Sequence, residues 1–349
     1  MSSNDCEAVD ARIAFSIGTK EEGHGDGQFN GSRGLEFDHH RGLLLVVDCV
    51  NCRVQVFSCD AGGAFVSKFG HEADELNRPF GLAIDHDHDR IVIADTYEHR
   101  AQAWTLSDQS FLPHIANKGL RRVRMLFPED VAIDKHHHRT IVLNTRGNQL
   151  VFLSSIDLSF LFSIGNYGSQ PGDFQYPTGI AIDHDRHRII VADAENHRVQ
   201  VLSSIDGSFL FEFGSYGNQP GQFRLPRNVC IANQGRIIVV DMLNDRLQAF
   251  THEGHHISSF EYGSQLAFGV AFDEHRGLIA FSAGNQVHVI GANQWLADTF
   301  TWRVDRHRYA PSWIKQAVLT MTMIRSLVDE SSSMSMIPNE LLFEIFSFL

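Results

Sequence analysis

Short apolar runs, each closed by Gly, Asn, Asp or Pro, follow one another along most of the chain. Residues 177–214 show the pattern in full. Residues 179–183 (G-I-A-I-D) are apolar up to the terminal Asp, and residues 188–193 (R-I-I-V-A-D) are apolar between charged ends. Residues 198–202 (R-V-Q-V-L) and 209–213 (F-L-F-E-F) alternate instead, and the last run stops at Gly214. Short β-branched or aromatic runs between turn formers are strands joined as hairpins, and none is long enough for an ordinary helix. The segment predicts a meander of four strands, a to d. Strands a and b are apolar nearly throughout, which suits a sheet covered on both faces. Strand c keeps Arg198 and Gln200 on alternate positions, which predicts a place further out.

The unit repeats. Its Asp-x-x-Asn-x-Arg core occurs at Asp48/Asn51/Arg53, Asp193/Asn196/Arg198 and Asp241/Asn244/Arg246, with a worn copy at Asp95/Glu98/Arg100 and weaker ones from Asn144 and Ser282. These starts are 47, 49, 49, 48 and 41 residues apart. A period in the forties built of short strands means radial or solenoidal repetition. The Asp can accept turn N–H bonds, the Asn tolerates left-handed backbone, and the Arg can pair with the Asp across the b–c turn. The motif is therefore expected to be hairpin chemistry before it is a ligand site. The six copies of strand a begin with Gly34, Gly81, Asp130, Gly179, Asn228 and Gly269, residue types that share a tolerance for positive φ. Residues 13–17 (I-A-F-S-I) read as a strand d with no a, b or c before it. Such a strand can complete the last blade and remove the open edge. Residues 12–18 are the expected latch, with 297–302 as the competitor.

Gly-Ile-Ala-Ile-Asp followed by Arg-Ile-Ile-Val-Ala-Asp-Ala-Glu-Asn-His-Arg-Val-Gln-Val resembles the NHL repeat family of β-propellers, most strongly at Asn196-His197-Arg198. The resemblance spans residues 12–291 and implies an all-β fold, a six-bladed β-propeller of four-stranded antiparallel blades. The third copy departs from it, with Asn144, Gly147 and Gln149 in place of Asp, Asn and Arg, and the sixth is one residue shorter. Residues 292–310 read as a connector. Residues 311–349 read as a short α-helical C-terminal tail, with apolar residues at 314, 317, 318, 321, 324 and 328 in helical spacing. Within it, residues 336–349 resemble the opening helix of an F-box. That resemblance implies Pro338, Leu341, Leu342, Ile345 and Phe346 as contacts to a Skp-type adaptor of a ubiquitin ligase.

Composition and charge narrow the classes. The 349 residues carry a net charge of −13 with His neutral, which argues against general phosphate-backbone binding. Lys118, Arg121, Arg122 and Arg124 form one local basic loop that could meet RNA or an acidic partner. Five cysteines, a polar N-terminus and no long apolar run point to a monomeric ring in a reducing compartment, cytoplasm or nucleus, away from membranes.

Histidines crowd the a–b turns at 39–40, 86–88, 136–138 and 184–187, but equivalent turns of different blades cannot all meet at one ion. A single Cys49-x-x-Cys52 lacks a second pair of ligands. Some six-bladed propellers are hydrolases or lyases that gather carboxylates and amides around a central ion. Glu129, Asp130 and Asn228 begin strands a, and Glu36 lies in the first. The expectation from sequence is a non-enzymatic scaffold whose face recognises a protein partner, as the substrate-recognition part of a ubiquitin ligase, with no catalytic, cofactor or metal residue assigned. The alternatives are a metal-dependent propeller hydrolase or lyase and an RNA-binding ring.

Overall fold

The computed structural model describes residues 13–70, 76–112, 125–263 and 265–292. Their strands form six sheets arranged around one axis. The first blade is β2 (Ser32–Asp38), β3 (Leu43–Asp48), β4 (Arg53–Ser58) and β5 (Ala64–Phe69). The second holds β6 (Leu82–Asp85), β7 (Arg90–Asp95) and β8 (Arg100–Thr105), with a Trp104–Phe111 bridge starting its outer edge. The third runs from β9 (Pro128–Asp134) through β10 (Arg139–Asn144) and β11 (Gln149–Ser154) to β12 (Phe160–Ile164). The fourth is β13 (Pro177–Asp183), β14 (Arg188–Asp193), β15 (Arg198–Ser203) and β16 (Phe209–Phe213). The fifth is β17 (Pro226–Ala232), β18 (Arg236–Asp241), β19 (Arg246–Phe250) and β20 (His256–Glu261). In the last, β1 (Ile13–Gly18) lies beside β23 (Gln286–Gly291), followed inward by β22 (Leu278–Ala283) and β21 (Ala267–Asp273). All pairs within the blades are antiparallel, so the described residues form an all-β, six-bladed propeller. The tail at 311–349, including Pro338, Leu341, Leu342, Ile345 and Phe346, and the latch competitor at 297–302 lie outside the described residues.

Apolar packing lies between blades, which is why strands a and b are apolar on both faces. Leu143 and Phe152 of the third blade pack with Ile180 and Val191 of the fourth. Ile17 and Val289 of the last blade pack with Leu35 and Phe57 of the first. Phe29, Phe174 and Phe223, from the matching d–a connections, are wholly buried between blades.

The repeated motif is hairpin chemistry of a denser kind than its letters suggest. Arg198 Nε donates to Asp193 Oδ2 at 2.8 Å, and its terminal nitrogens donate to the carbonyls of Ser169, Gln170 and Asp173 in the d–a connection. Asp193 Oδ1 accepts from the Gln175 amide at 2.7 Å. The same hub recurs around Asp48 and Asp241. One expectation needs correction. The left-handed residue of the turn is the one after the Asn, namely Cys52, His197 and Asp245 with φ of 52°, 54° and 51°. The Asn instead spends its amide on the Asp and on a loop carbonyl, as Asn196 does with Asp193 and Gly168. Strand c lies third from the axis, as expected, and its Gln55, Gln102, Gln200 and Gln248 are fully buried there, each donating to the Asp of its own motif. The degenerate turn of the third blade still closes, with Asn144 Oδ1 accepting from the Leu126 amide.

Candidate functional site

Six strands a converge where they begin, and the convergence explains their first residues. Gly34, Gly81, Gly179 and Gly269 do not have positive φ, contrary to expectation. They are glycines because neighbouring backbones nearly touch. A Cβ on Gly81 would lie 2.7 Å from Asp130 Cα, and one on Gly179 would lie 2.5 Å from Asn228 Cα. The two positions that keep a side chain use it to stitch blades together across the axis. Asp130 Oδ1 accepts from the Val131 amide at 3.0 Å. Its Oδ2 accepts from the Ile180 amide at 3.0 Å and from Asn228 Nδ2 at 2.9 Å. Asn228 Oδ1 accepts from the Val270 amide at 3.2 Å.

One residue earlier in each blade stands a second ring: Arg33, Phe80, Glu129, Thr178, Arg227 and Phe268. These six surround a narrow mouth on the axis. Arg227 Nη2 lies 3.1 Å from Glu129 Oε2. The Arg33 guanidinium rests 3.4 Å above the Phe268 ring and 4.9 Å from that of Phe80. Its Nε and Nη1 are buried without a hydrogen-bond partner. A buried donor left unsatisfied is expensive, and the Cys49 side chain also reaches this guanidinium.

Behind the mouth lies an axial cavity of about 640 Å³, walled by Ile84, Ile133, Ile182, Ile231 and Phe272 and open at the a–b turns. Gly34, Asp130 and Asn228 border both spaces and so form the partition. Glu36 faces the cavity at a position where the other blades carry Ala83, Ala132, Ala181, Cys230 and Ala271. Burial, with the Asp130 charge adding to it, pushes the Glu36 carboxyl up to about 8. Burial also raises Asp130 to about 7, against the pull of its N–H donors. Glu129 is raised by burial, opposed by Arg227 and Arg33. Proton-carrying carboxyls near neutrality are what general acid–base chemistry needs.

A central cation does not suit this donor set. The oxygens of Asp130 and Asn228 already receive N–H donors, and two guanidinium groups share the mouth. Among the described residues, the one place where three His, Cys, Asp or Glu ligand atoms converge is elsewhere, at His39, His40 and His86. The a–b turns thus do not all meet, but turns of adjacent blades do. Burial lowers the pKa of His39 and of His86, and it brings His184 down to about 4. Cys49 is raised to about 11 by burial, and Cys52 Sγ accepts from the Arg78 amide. Lys118, Arg121, Arg122 and Arg124 lie outside the described residues.

Sequence reasoning picked out Glu129 at the mouth, Asp130 and Asn228 in the partition and Glu36 in the cavity behind it, but missed Arg33, Arg227, Phe80 and Phe268. Their signal is a column of the repeat that varies from blade to blade. A search for repeated letters passes over it.

Residues 174–202 match the NHL repeat family. No curated protein sequence matches the chain. Among solved structures the chain is similar to a gluconolactonase from Xanthomonas campestris, with a TM-score of 0.57 at 15% identity over 76% of this chain and 86% of that one. It is similar to a protein of unknown function from Bacteroides thetaiotaomicron, with a TM-score of 0.60 at 14% identity over 79% and 74% of the two chains. It is also similar to an inactive variant of virginiamycin B lyase from Staphylococcus aureus bound to quinupristin, with a TM-score of 0.53 at 12% identity over 74% and 80%. Two of the three are enzymes, so the expectation of a non-enzymatic scaffold serving a ubiquitin ligase is corrected. The ring shape is one that enzymes use. One repeat, residues 174–202, matches the NHL repeat family, and the described residues form a closed six-bladed β-propeller.

Proposed function

We propose that the chain is a propeller enzyme that opens a cyclic ester at the narrow axial mouth. One observation carries the reading: Glu129, raised in pKa by burial, stands beside Arg227 and within the field of Arg33, whose Nε and Nη1 lack partners. In this scheme the guanidinium N–H groups of Arg33 and Arg227 take the carbonyl oxygen as negative charge develops on it. Phe268 and Phe80 hold the Arg33 guanidinium in place, and the mouth, about 20 Å³, takes the carbonyl group while the rest of the substrate ring lies outside it. Glu129 accepts a proton from the attacking water, the new C–O bond forms, and the proton passes to the departing ring oxygen as the old C–O bond breaks. Asp130 and Glu36 hold further protons behind the mouth. The lactonase and the lyase among the structural neighbours favour a ring-opening reaction; their low identity supports the fold and leaves the substrate to the mouth's own chemistry.

The test is turnover of a panel of sugar lactones and cyclic depsipeptides by the full chain, with product mass measured. Hydrolysis adds the mass of water, and elimination leaves the mass unchanged. Glu129→Gln and Arg33→Met should each lower kcat by about 10²–10³. Full activity in both variants, or no turnover of any panel member, would overturn the proposal.

A further inference from the structure

The opposite end of the axial cavity carries a second, unassigned cluster. Three consecutive a–b turns meet there: His39 and His40 follow β2, His86 follows β6, and His275 follows β21. The His40 and His86 rings are 4.4 Å apart, centre to centre, and His39 lies 4.6 Å from His40, 5.2 Å from His86 and 5.0 Å from His275. One ligand nitrogen from each of His39, His40 and His86 lies within 4.8 Å of the others. His86 Nε2 is buried without a hydrogen-bond partner, 4.0 Å from Asp38 Oδ1. All three histidines line the mouth of the wide cavity.

We propose that His39, His40 and His86 bind one divalent late transition cation, with Zn²⁺ as the type case. Imidazole nitrogen suits Zn²⁺, Ni²⁺ and Cu²⁺, whereas Ca²⁺ and Mg²⁺ demand oxygen ligands. Three protein nitrogens leave a fourth position for water or a ligand in the cavity, the arrangement of an open zinc site rather than a closed structural one. The surrounding charge is favourable. Asp38 faces His86, and Asp273 and Glu274 face His39, while the nearby Arg41 is paired with Asp38 and Asp89. The site is independent of the chemistry at the narrow mouth and stands whether or not a lactone is opened there.

The test uses the full chain stripped of metal with a chelator and titrated with Zn²⁺ alone by calorimetry. A Co²⁺ titration in parallel would show the intense visible bands of a tetrahedral site. One strong site per chain is expected. Losing an outer partner of a metal site already lowers affinity about 10- to 100-fold, so His86→Ala and His40→Ala should each lower it by at least that much. His136→Ala, in the other histidine cluster, should leave it unchanged. His40 is an exposed turn residue, and a circular-dichroism spectrum equal to wild type shows that the variant folds. Weak binding spread over several sites, or binding unaffected by His86→Ala and His40→Ala, would mean an adventitious ion only and would overturn the proposal.

Discussion

Replacing Glu36 by Gln should make the protein more stable at alkaline pH and leave it unchanged in mild acid. Glu36 occupies a position that is Ala or Cys in the other blades, and it faces apolar walls and the Asp130 carboxylate. Its carboxyl is pushed from an ordinary 4.5 to about 8, chiefly by burial. Between those values the native protein keeps a proton that the unfolded chain has released. The Glu36 contribution is therefore complete below about 4.5 and is lost as pH rises through 8. A rise of that size corresponds to about 5 kcal/mol once the group is ionised. Water in the cavity screens part of it, which leaves about 2–3 kcal/mol. Urea midpoints for wild type and Glu36→Gln at pH 5, 7 and 9 (assay settings of about these values) read the difference directly. The two proteins should coincide at the lowest pH and separate progressively, with the variant the more stable. A gap that does not change with pH, or a wild type that is the more stable at the alkaline end, would refute the reasoning.

Two further outcomes follow from the packing. Arg198→Met leaves Asp193 buried and uncompensated and strips donors from Ser169, Gln170 and Asp173, so denaturant titration should show a loss of about 3–5 kcal/mol. The matching Arg100→Met should cost clearly less, about 1–2 kcal/mol, since the Arg100 side chain is 29% exposed and water can solvate what it leaves. Gly179→Ala puts a Cβ 2.5 Å from Asn228 Cα, backbone against backbone, and should lower thermal stability by about 1–3 kcal/mol or more. An unchanged melting temperature would show that the inner strands have room to part.

The architecture was legible because its determinants are local. Asp193, Asn196 and Arg198 act within one hairpin, so their spacing survives in the sequence and repeats with the blade. What the hub binds was not legible, because Gln175 and Ser169 belong to a connection that comes near only after the hairpin packs. The glycines of strand a show the same limit. Their letters invited a dihedral explanation, while the cause is an approach of Gly179 to Asn228 that exists only in the closed ring. The histidine cluster goes one step further. Whether His40 reaches His86 depends on the angle between blades, which no hairpin encodes.

Symmetry then separates what holds the ring from what acts in it. A group that serves folding is needed once per blade, so selection repeats it: the buried Asp of the b–c turn, the Gln of strand c, the Gly at the axis. A group that serves one substrate is needed once per molecule, and repeating it around an axis would only bring like charges together. Arg33, Glu129 and Arg227 share a column with Phe80, Thr178 and Phe268, and Glu36 shares one with four alanines and a cysteine. Each of these departures buries a charge where a neighbouring blade manages with an apolar or small residue, and burial penalises each of the three whose pKa it moves, Arg33, Glu129 and Glu36. At the Glu36 position the same backbone accepts Ala83, Ala132, Ala181 and Ala271 in other blades, so the fold does not require a carboxyl there. These charges, placed where the strands meet and opposite an opening, are the groups on which the proposed ring-opening chemistry rests, and their burial is a cost that the packing of the ring does not require.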